Sequence, residues 1–283
     1  MQNINLDQFK GKNISFIINK ADEIRKTGLE GIIHAHKIYN LVLEEVPNTY
    51  DQKKFHVLRG ELTQKIWNCE RKFFWNERFF SQAGQDKIIK NHFFSDKKQG
   101  FFIEIGAYDG ILGSNCYHFE KFQNWNGVAF EPSKIQFEKL KRNRRCKIIN
   151  KPLSEKRKEV DFFEVEQGLT MMSGIYDDNF ISEKFIKNDS NSKFKTKKLL
   201  TTTFEENISY ETEIDYISID IEGGELNVLK SIDFEKYSIK VISVENNSPD
   251  KNNFKSFFSE KNFKYFDRIG HDEIFFNKKY FNF

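Results

Sequence analysis

Acidic side chains recur in this chain where apolar segments stop. Glu104 stands inside FFIEIGAYDG (101–110), Glu131 closes WNGVAFEP (125–132), Asp220 and Glu222 close IDYISIDIE (214–222), and Glu245 closes VISVE (241–245). A core strand has no use for such a charge, because an unpaired buried ion is costly; a strand that ends at a ligand does. Asp220, Glu222 and Glu225 place three carboxylates within six residues, enough for a general base, a metal site or acceptors for hydroxyl groups. In an extended strand Asp220 and Glu222 point the same way. Gly223-Gly224 then turns the chain, and Glu225 falls on the first turn of a helix, where a negative charge suits the dipole. Asp220, Glu222 and Glu245 are the candidate catalytic groups. With Asn246 they form an oxygen-rich set open to a hard cation such as magnesium, though nothing else in the sequence supports a divalent metal.

The glycine turn after Glu104 discriminates between ligands. A dinucleotide fold needs G-x-G-x-x-G to let backbone approach a pyrophosphate, whereas this chain has Gly106 and Gly110 with Tyr108 in the middle position. Phosphate cradling is disfavoured. An acidic residue before the turn suits a cationic amine, and a helix starting near Ser114 suits a carboxylate. Glu131, at the next strand end, is placed for a ribose diol. An amino acid joined to a nucleoside satisfies all three, which is S-adenosylmethionine rather than NAD.

These groups need a scaffold that brings strand ends together. Strands are predicted at 101–105, 125–132, 146–150, 160–165, 214–221 and 241–245, with a closing pair around Gly270-His271. Helices are predicted at 85–94, 114–123, 133–144, 224–230 and 253–261. Short strands alternating with helices imply a mostly parallel, doubly wound α/β sheet with an antiparallel edge. Ligands bind such a sheet beyond the carboxyl ends of its strands. The polar stretch 168–198 reads as an irregular, substrate-covering loop. Residues 1–80 read as a helical extension, and 81–283 as the α/β domain. One helix of the extension carries Phe55, Leu58, Leu62, Ile66, Cys69 and Phe73 at steps of three and four, a seam for the main domain, the first helix or a second copy in a homodimer.

The runs SQAGQD (81–86), FFIEIGAYDG, SNCYHFEKFQNWNGVAFEP (114–132) and DYISIDIEGGELNVLKSIDF (215–234) resemble the FkbM-type S-adenosylmethionine-dependent methyltransferases, in the right order, from about Ser81 to Phe276. The resemblance implies a Rossmann-like class I methyltransferase fold and methyl transfer to a hydroxyl, commonly on a sugar or polyketide. It implies that Glu104, Gly106, Asp109 and Gly110 shape the methionine end of the cofactor pocket, with Ala107, Ser114 and Asn115 in the same stretches. Glu131 would take the ribose, Pro132 and Ser133 the adenine edge, and Asp220 would lie by the sulfonium. Gln85 and Asp86 match the motif before the first strand and would close over the cofactor. Cys116 stands where the family more often has threonine, and residues 1–80 have no counterpart.

Composition narrows the remaining classes. A net charge of +3 over 283 residues does not argue for nucleic acid. The basic run KLKRNRRCK (139–147) is read as the solvated face of a helix and the partner of its C-terminal dipole. It motivates a second reading, an RNA ribose (cap-type) methyltransferase. A third makes the fold a non-catalytic binding scaffold, against which Glu104, Glu131 and Asp220 stand intact. Three scattered cysteines form no metal or disulfide pattern and fit a reducing compartment. MQNINLDQFK lacks a secretory signal and no stretch reaches membrane-span length, so a cytoplasmic protein is expected. His271 reads as an exposed turn residue, and His34 and His36 as structural.

Overall fold

The computed structural model describes residues 13–73, 78–178, 180, 182–210 and 212–281; the stretch read for a secretory signal lies outside them. Three helices come first: α1 (Ile14–Arg25), α2 (Leu29–Glu45) and α3 (Lys53–Phe73). The seam of α3 closes within the chain, with Leu62, Ile66 and Cys69 packed against Ala35, Ile38 and Val42 of α2.

After α4 (Gln85–Phe93) the chain alternates strands and helices: β1 (Phe101–Ile105), α5 (Tyr117–Gln123), β2 (Asn126–Phe130), α6 (Lys134–Asn143) and β3 (Lys147–Ile149). It then builds β4 (Glu159–Gln167), β5 (Gly174–Ile175), α7 (Glu183–Asn188), β6 (Lys193–Leu200) and α8 (Phe204–Asn207). It closes with β7 (Glu213–Ile219), α9 (Glu225–Lys230), β8 (Ser238–Glu245), α10 (Phe254–Ser259), β9 (Phe263–Ile269) and β10 (Asp272–Asn277).

Seven strands form one sheet in the order β3-β2-β1-β7-β8-β10-β9. β3, β2, β1, β7 and β8 run parallel, and β10 and β9 are antiparallel. Both faces are covered, so the central strands are apolar on both sides. Ile103, Ile217 and Ile242 pack toward Val228, Phe254 and Phe258, while Phe102, Tyr216 and Val241 pack toward Ile89, Phe119 and Trp125. Each such aromatic contributes about 1.5–3 kcal/mol by burial. Strand order reverses between β1 and β7, which opens a crevice at their carboxyl ends. Among the described residues no helix is long and apolar enough to cross a membrane.

One expectation fails here. The 168–198 stretch is not an irregular loop, and β4 does not join the main sheet. β4, β5 and β6 make a separate antiparallel sheet, in which Phe163 stacks on Phe194 with ring centres 4.6 Å apart. The lysines that made β6 look unstructured reach acidic groups of β4, Lys197 to Glu164 at 2.7 Å and Lys198 to Asp161 at 3.0 Å. Asn179 and Ile181 of this stretch lie outside the described residues.

Candidate functional site

At the β1/β7 crevice a cleft opens beyond the carboxyl ends of the strands, where ligands bind in such sheets. Gly106, Tyr108, Glu131, Pro132 and Asp220 line its floor. Gly106 is required by close approach. Its φ is +91°, and a Cβ there would meet the Asp220 carbonyl oxygen at 1.7 Å. The ends of β1 and β7 are locked side by side, with Asp220 N donating to Ile105 O at 2.9 Å.

Tyr108 occupies a left-handed conformation, φ +48°. Its N–H donates to Glu131 Oε2 at 2.9 Å, and its hydroxyl meets Thr170 Oγ1 at 2.7 Å. Ser133 N donates to Glu131 Oε1 at 2.7 Å. Each oxygen of Glu131 thus holds one backbone donor and keeps a lone pair for a ligand. Burial pushes this carboxyl up to about 8 against the pull of those two donors.

Asp220, Glu222 and Glu245 come together, each offering an oxygen within 4.8 Å of the other two. Strand alternation does not achieve this, because β7 ends at Ile219. Glu222 instead sits at φ +60° in the turn that precedes Gly223-Gly224. Ser182 Oγ donates to Glu222 Oε2 at 2.6 Å. Glu225 accepts from Gly223 N at 2.8 Å, so its carboxylate braces the turn. A second, more polar cleft adjoins the first, lined by Glu245, Asn227, Asn247 and Lys251. Glu222 borders both.

Burial, then the repulsion of neighbouring carboxylates, pushes Asp220 up to about 7. The same two causes push Glu222 to about 7 and Glu245 well above its ordinary value. Such a trio either shares protons or holds a cation. Three carboxylate oxygens are the donor type magnesium takes, and these are the residues that would hold it.

A pH dependence follows with a definite sign. Unfolded carboxyls titrate near 4 to 4.5, whereas Glu131, Asp220 and Glu222 titrate at about 7 to 8 when folded. The folded state binds these protons more tightly. Their contribution is complete below about pH 4 and is lost as pH rises through about 8, on the order of 1.4 kcal/mol per pH unit for each group titrating alone. Thermal unfolding of the ligand-free protein is expected to show a midpoint that declines from pH 5 to pH 8. A midpoint that rises over that interval would contradict the assignment.

Several predicted residues stand behind the cleft rather than in it. Glu104 was expected to face a cationic amine; its carboxylate is instead occupied by Arg144 Nη1 at 2.7 Å and Ser114 Oγ at 2.7 Å. Arg144 Nε also meets Glu120 Oε2 at 2.7 Å. Arg144 thus departs from the solvated-face reading of the basic run, its side chain being wholly buried, while Lys139, Lys141, Arg142, Arg145 and Lys147 are exposed. Ser114 also accepts from Tyr117 N at 2.9 Å, which caps α5 and leaves it no free role toward a carboxylate. Asn115 donates to Ser218 and Asp272. Asp109 accepts from Ile111 N and Leu112 N, and Gly110 O accepts from Arg144.

The others behind the cleft hold backbone in place. Ala107 N donates to Phe130 O, and Ser133 caps α6 and donates to Glu164. Gln85 accepts from Ala83 N, and Asp86 holds Phe80 N and the Ser81 hydroxyl. Gln85 and Asp86 therefore brace a turn that presents Gln82 to the cleft; they do not close over it. Leu153, Phe162, Thr170, Met171, Ser173, Gly174 and Ile175 also line the cleft and had no sequence signal. Leu153 comes from the segment after β3, and the others from the second sheet and the turn between β4 and β5. His271 sits on its turn, Nδ1 at 2.7 Å from Asn247 Oδ1.

Comparison with known families matches residues 104–268 to the methyltransferase FkbM domain. Similar solved structures include a methyltransferase FkbM from Methylobacillus flagellatus KT, at 11% identity and TM-score 0.43 over 84% of this chain and 57% of that one. The chain thus spans little more than half the length of that protein. Others are a fibrillarin/Nop5p complex, at 16% identity and TM-score 0.33 over 67% of this chain and 77% of that one, and human methyltransferase 10 domain containing protein, at 11% identity and TM-score 0.31 over 68% and 78%. No curated protein matches the sequence.

Proposed function

Because the chain belongs to the FkbM methyltransferase family, we propose that it transfers a methyl group from S-adenosylmethionine to a hydroxyl of a sugar, glycan or similar small acceptor. The observation that carries the reading is that one carboxylate, Glu222, borders two clefts. A cofactor in the first and an acceptor in the second would meet at the Asp220–Glu222–Glu245 trio.

In the first cleft, Glu131 would accept hydrogen bonds from the ribose diol. Pro132, Leu153 and Phe162 would enclose the base, and the Gly106–Asp220 floor would lie under the amino-acid end. The cofactor, when bound, supplies an electrophilic methyl carbon on sulfur. Asp220 and Glu222 would orient the acceptor hydroxyl for in-line attack, and one of the two would take its proton. A base titrating near neutral pH suits that task. The second cleft offers amides, a lysine and carboxylates, with Leu226 its one aliphatic side chain longer than glycine. Those groups suit a polyhydroxylated acceptor.

The RNA alternative is less favoured: Arg144 of the basic run pairs with Glu104 and Glu120 in the core, and the exposed remainder is Lys139, Lys141, Arg142, Arg145 and Lys147. Steeply salt-dependent RNA binding would support it.

S-Adenosylhomocysteine at about 100 times its dissociation constant is expected to stabilise the protein by about 2.7 kcal/mol, read as a rise in melting temperature. Glu131→Ala removes an acceptor of charge-assisted hydrogen bonds and is expected to weaken that binding roughly tenfold to a hundredfold by calorimetry. No stabilisation of the parent protein by the ligand would favour the non-catalytic scaffold.

A further inference from the structure

The helical extension meets the α/β domain at the active end of the sheet. Gly60 of α3 lies so close to the β9–β10 turn that a Cβ there would fall 2.2 Å from Gly270 O. Thr63 Oγ1 accepts from Gly270 N at 3.0 Å, and Arg59 forks onto both oxygens of Asp267 at 2.8 Å. Beside the same turn, where a Cβ on Gly270 would meet Ala83 Cβ at 2.6 Å, Gln64 Nε2 donates to the carbonyl of Gln82 at 2.9 Å, and Gln82 lines the first cleft. Simple docking of a helix calls for an apolar stripe. This contact is polar and directed at the loops that carry the site.

At its centre is Glu273, fully buried. Its Oε1 lies 2.8 Å from His56 Nε2 of α3 and accepts from Asn246 Nδ2 at 2.7 Å and Arg268 Nη1 at 3.1 Å. Its Oε2 accepts from the Tyr50 hydroxyl at 2.9 Å. Asn246 directly follows Glu245 and is held through every polar atom it has. Its N–H donates to His271 O at 2.9 Å, its carbonyl accepts from Arg268 Nη2 at 2.9 Å, and its Oδ1 accepts from Ser248 N at 3.2 Å. In register, Asp272 pairs with Glu245 and Glu273 with Val244. The backbone on both sides of Glu245 is thereby fixed.

We propose that Glu273 is a positioning residue for the carboxylate centre, acting through Asn246, and that His56 of the helical extension holds it in place. The extension is then part of the catalytic unit. A buried carboxylate ringed by four donors contributes geometry that an apolar residue of the same size would not. The proposal rests on the reading of Asp220, Glu222 and Glu245 as the reacting centre.

The test uses the full chain in two variants. His56→Phe keeps a ring against Tyr50 and Tyr265, which flank His56, but gives Glu273 no hydrogen bond. His56→Gln keeps a side-chain donor. The first readout is hydrogen exchange of the Asn246 amide, which donates to His271 O at 2.9 Å, measured without ligand against the core amides of β7.

In His56→Phe the Asn246 amide is expected to exchange about tenfold faster while the core amides of β7 keep their rates, and His56→Gln retains the parent value. Methyl transfer should fall about tenfold to a hundredfold in the first variant, with S-adenosylhomocysteine affinity nearly unchanged, and recover in the second. Unchanged exchange at Asn246 in both variants, with only a lower melting temperature, would reduce the network to a structural role and overturn the proposal. Failure of the parent protein to bind S-adenosylhomocysteine would instead sink the methyl-transfer reading. The exchange comparison would still decide whether His56 holds Asn246.

Discussion

Asp220→Asn is expected to lower methyl transfer by about 10²- to 10⁴-fold, the usual span for loss of a positioned proton acceptor, while S-adenosylhomocysteine binds within a few-fold of its parent affinity. Asparagine preserves the shape of the side chain, and the Asp220 N to Ile105 O bond that joins β7 to β1 involves only backbone. What disappears is a charge that burial and its neighbours already disfavour. Removing it relieves Glu222 and Glu245 of a close like charge, so the variant should melt at or above the parent temperature at pH 8. Lower activity with equal or higher stability is the signature of a group retained for function. A variant that loses stability along with activity would place Asp220 among the structural carboxylates, and unimpaired turnover would remove it from the reaction.

Arg144→Met is expected to destabilise the protein by about 3–5 kcal/mol, the cost of leaving buried carboxylates without their cation. Arg144 contacts Glu104 with Nη1 and Glu120 with Nε, both at 2.7 Å, and its guanidinium lies 5.1 Å from the centre of the Phe102 ring. Lysine, a single point charge on a flexible stem, reproduces neither the fork nor the stacking, so Arg144→Lys should recover only part of the loss. In the methionine variant the orphaned carboxyls are raised by burial. By linkage the defect then grows as pH rises and shrinks toward pH 5. Urea unfolding at pH 5 and pH 8 reads both effects. A loss below about 1 kcal/mol at pH 8, in the range of an exposed ion pair, would mean that water reaches Glu104 after all. Since Glu104 precedes the Gly106 turn by two residues, cofactor affinity should weaken with stability in this variant and not in Asp220→Asn.

The contrast between these two carboxylates shows how far the chain can be read without its fold. Both stand where apolar segments meet a glycine turn, and strand pattern alone assigns them the same kind of role. The partner that separates them, Arg144, is forty residues from Glu104 and sits in a run that looks like a solvated helix face. No local rule pairs residues at that distance. The stretch 168–198 was misjudged for a related reason. Its lysines suggest solvent, and they become strand residues only when Asp161, Glu164 and Glu166 of β4 lie opposite them.

Sequence by itself determined the parallel sheet with its antiparallel edge, the helical start, and the strand-end positions of Gly106, Glu131, Pro132 and Asp220 that line the first cleft. Period-two and helical patterning are local properties, and the carboxyl ends of parallel strands gather on one edge wherever such a sheet forms. Only the tertiary structure decided which carboxylates are free. It buried Glu104 on Arg144, turned Glu222 through a left-handed bend beside Glu245, lined the cleft with Phe162 of a second sheet and Thr170 of the turn after β4, and joined Glu273, the partner of Asn246, to His56 of the extension. Those outcomes depend on contacts between residues tens to hundreds of positions apart, which packing selects and sequence spacing does not encode.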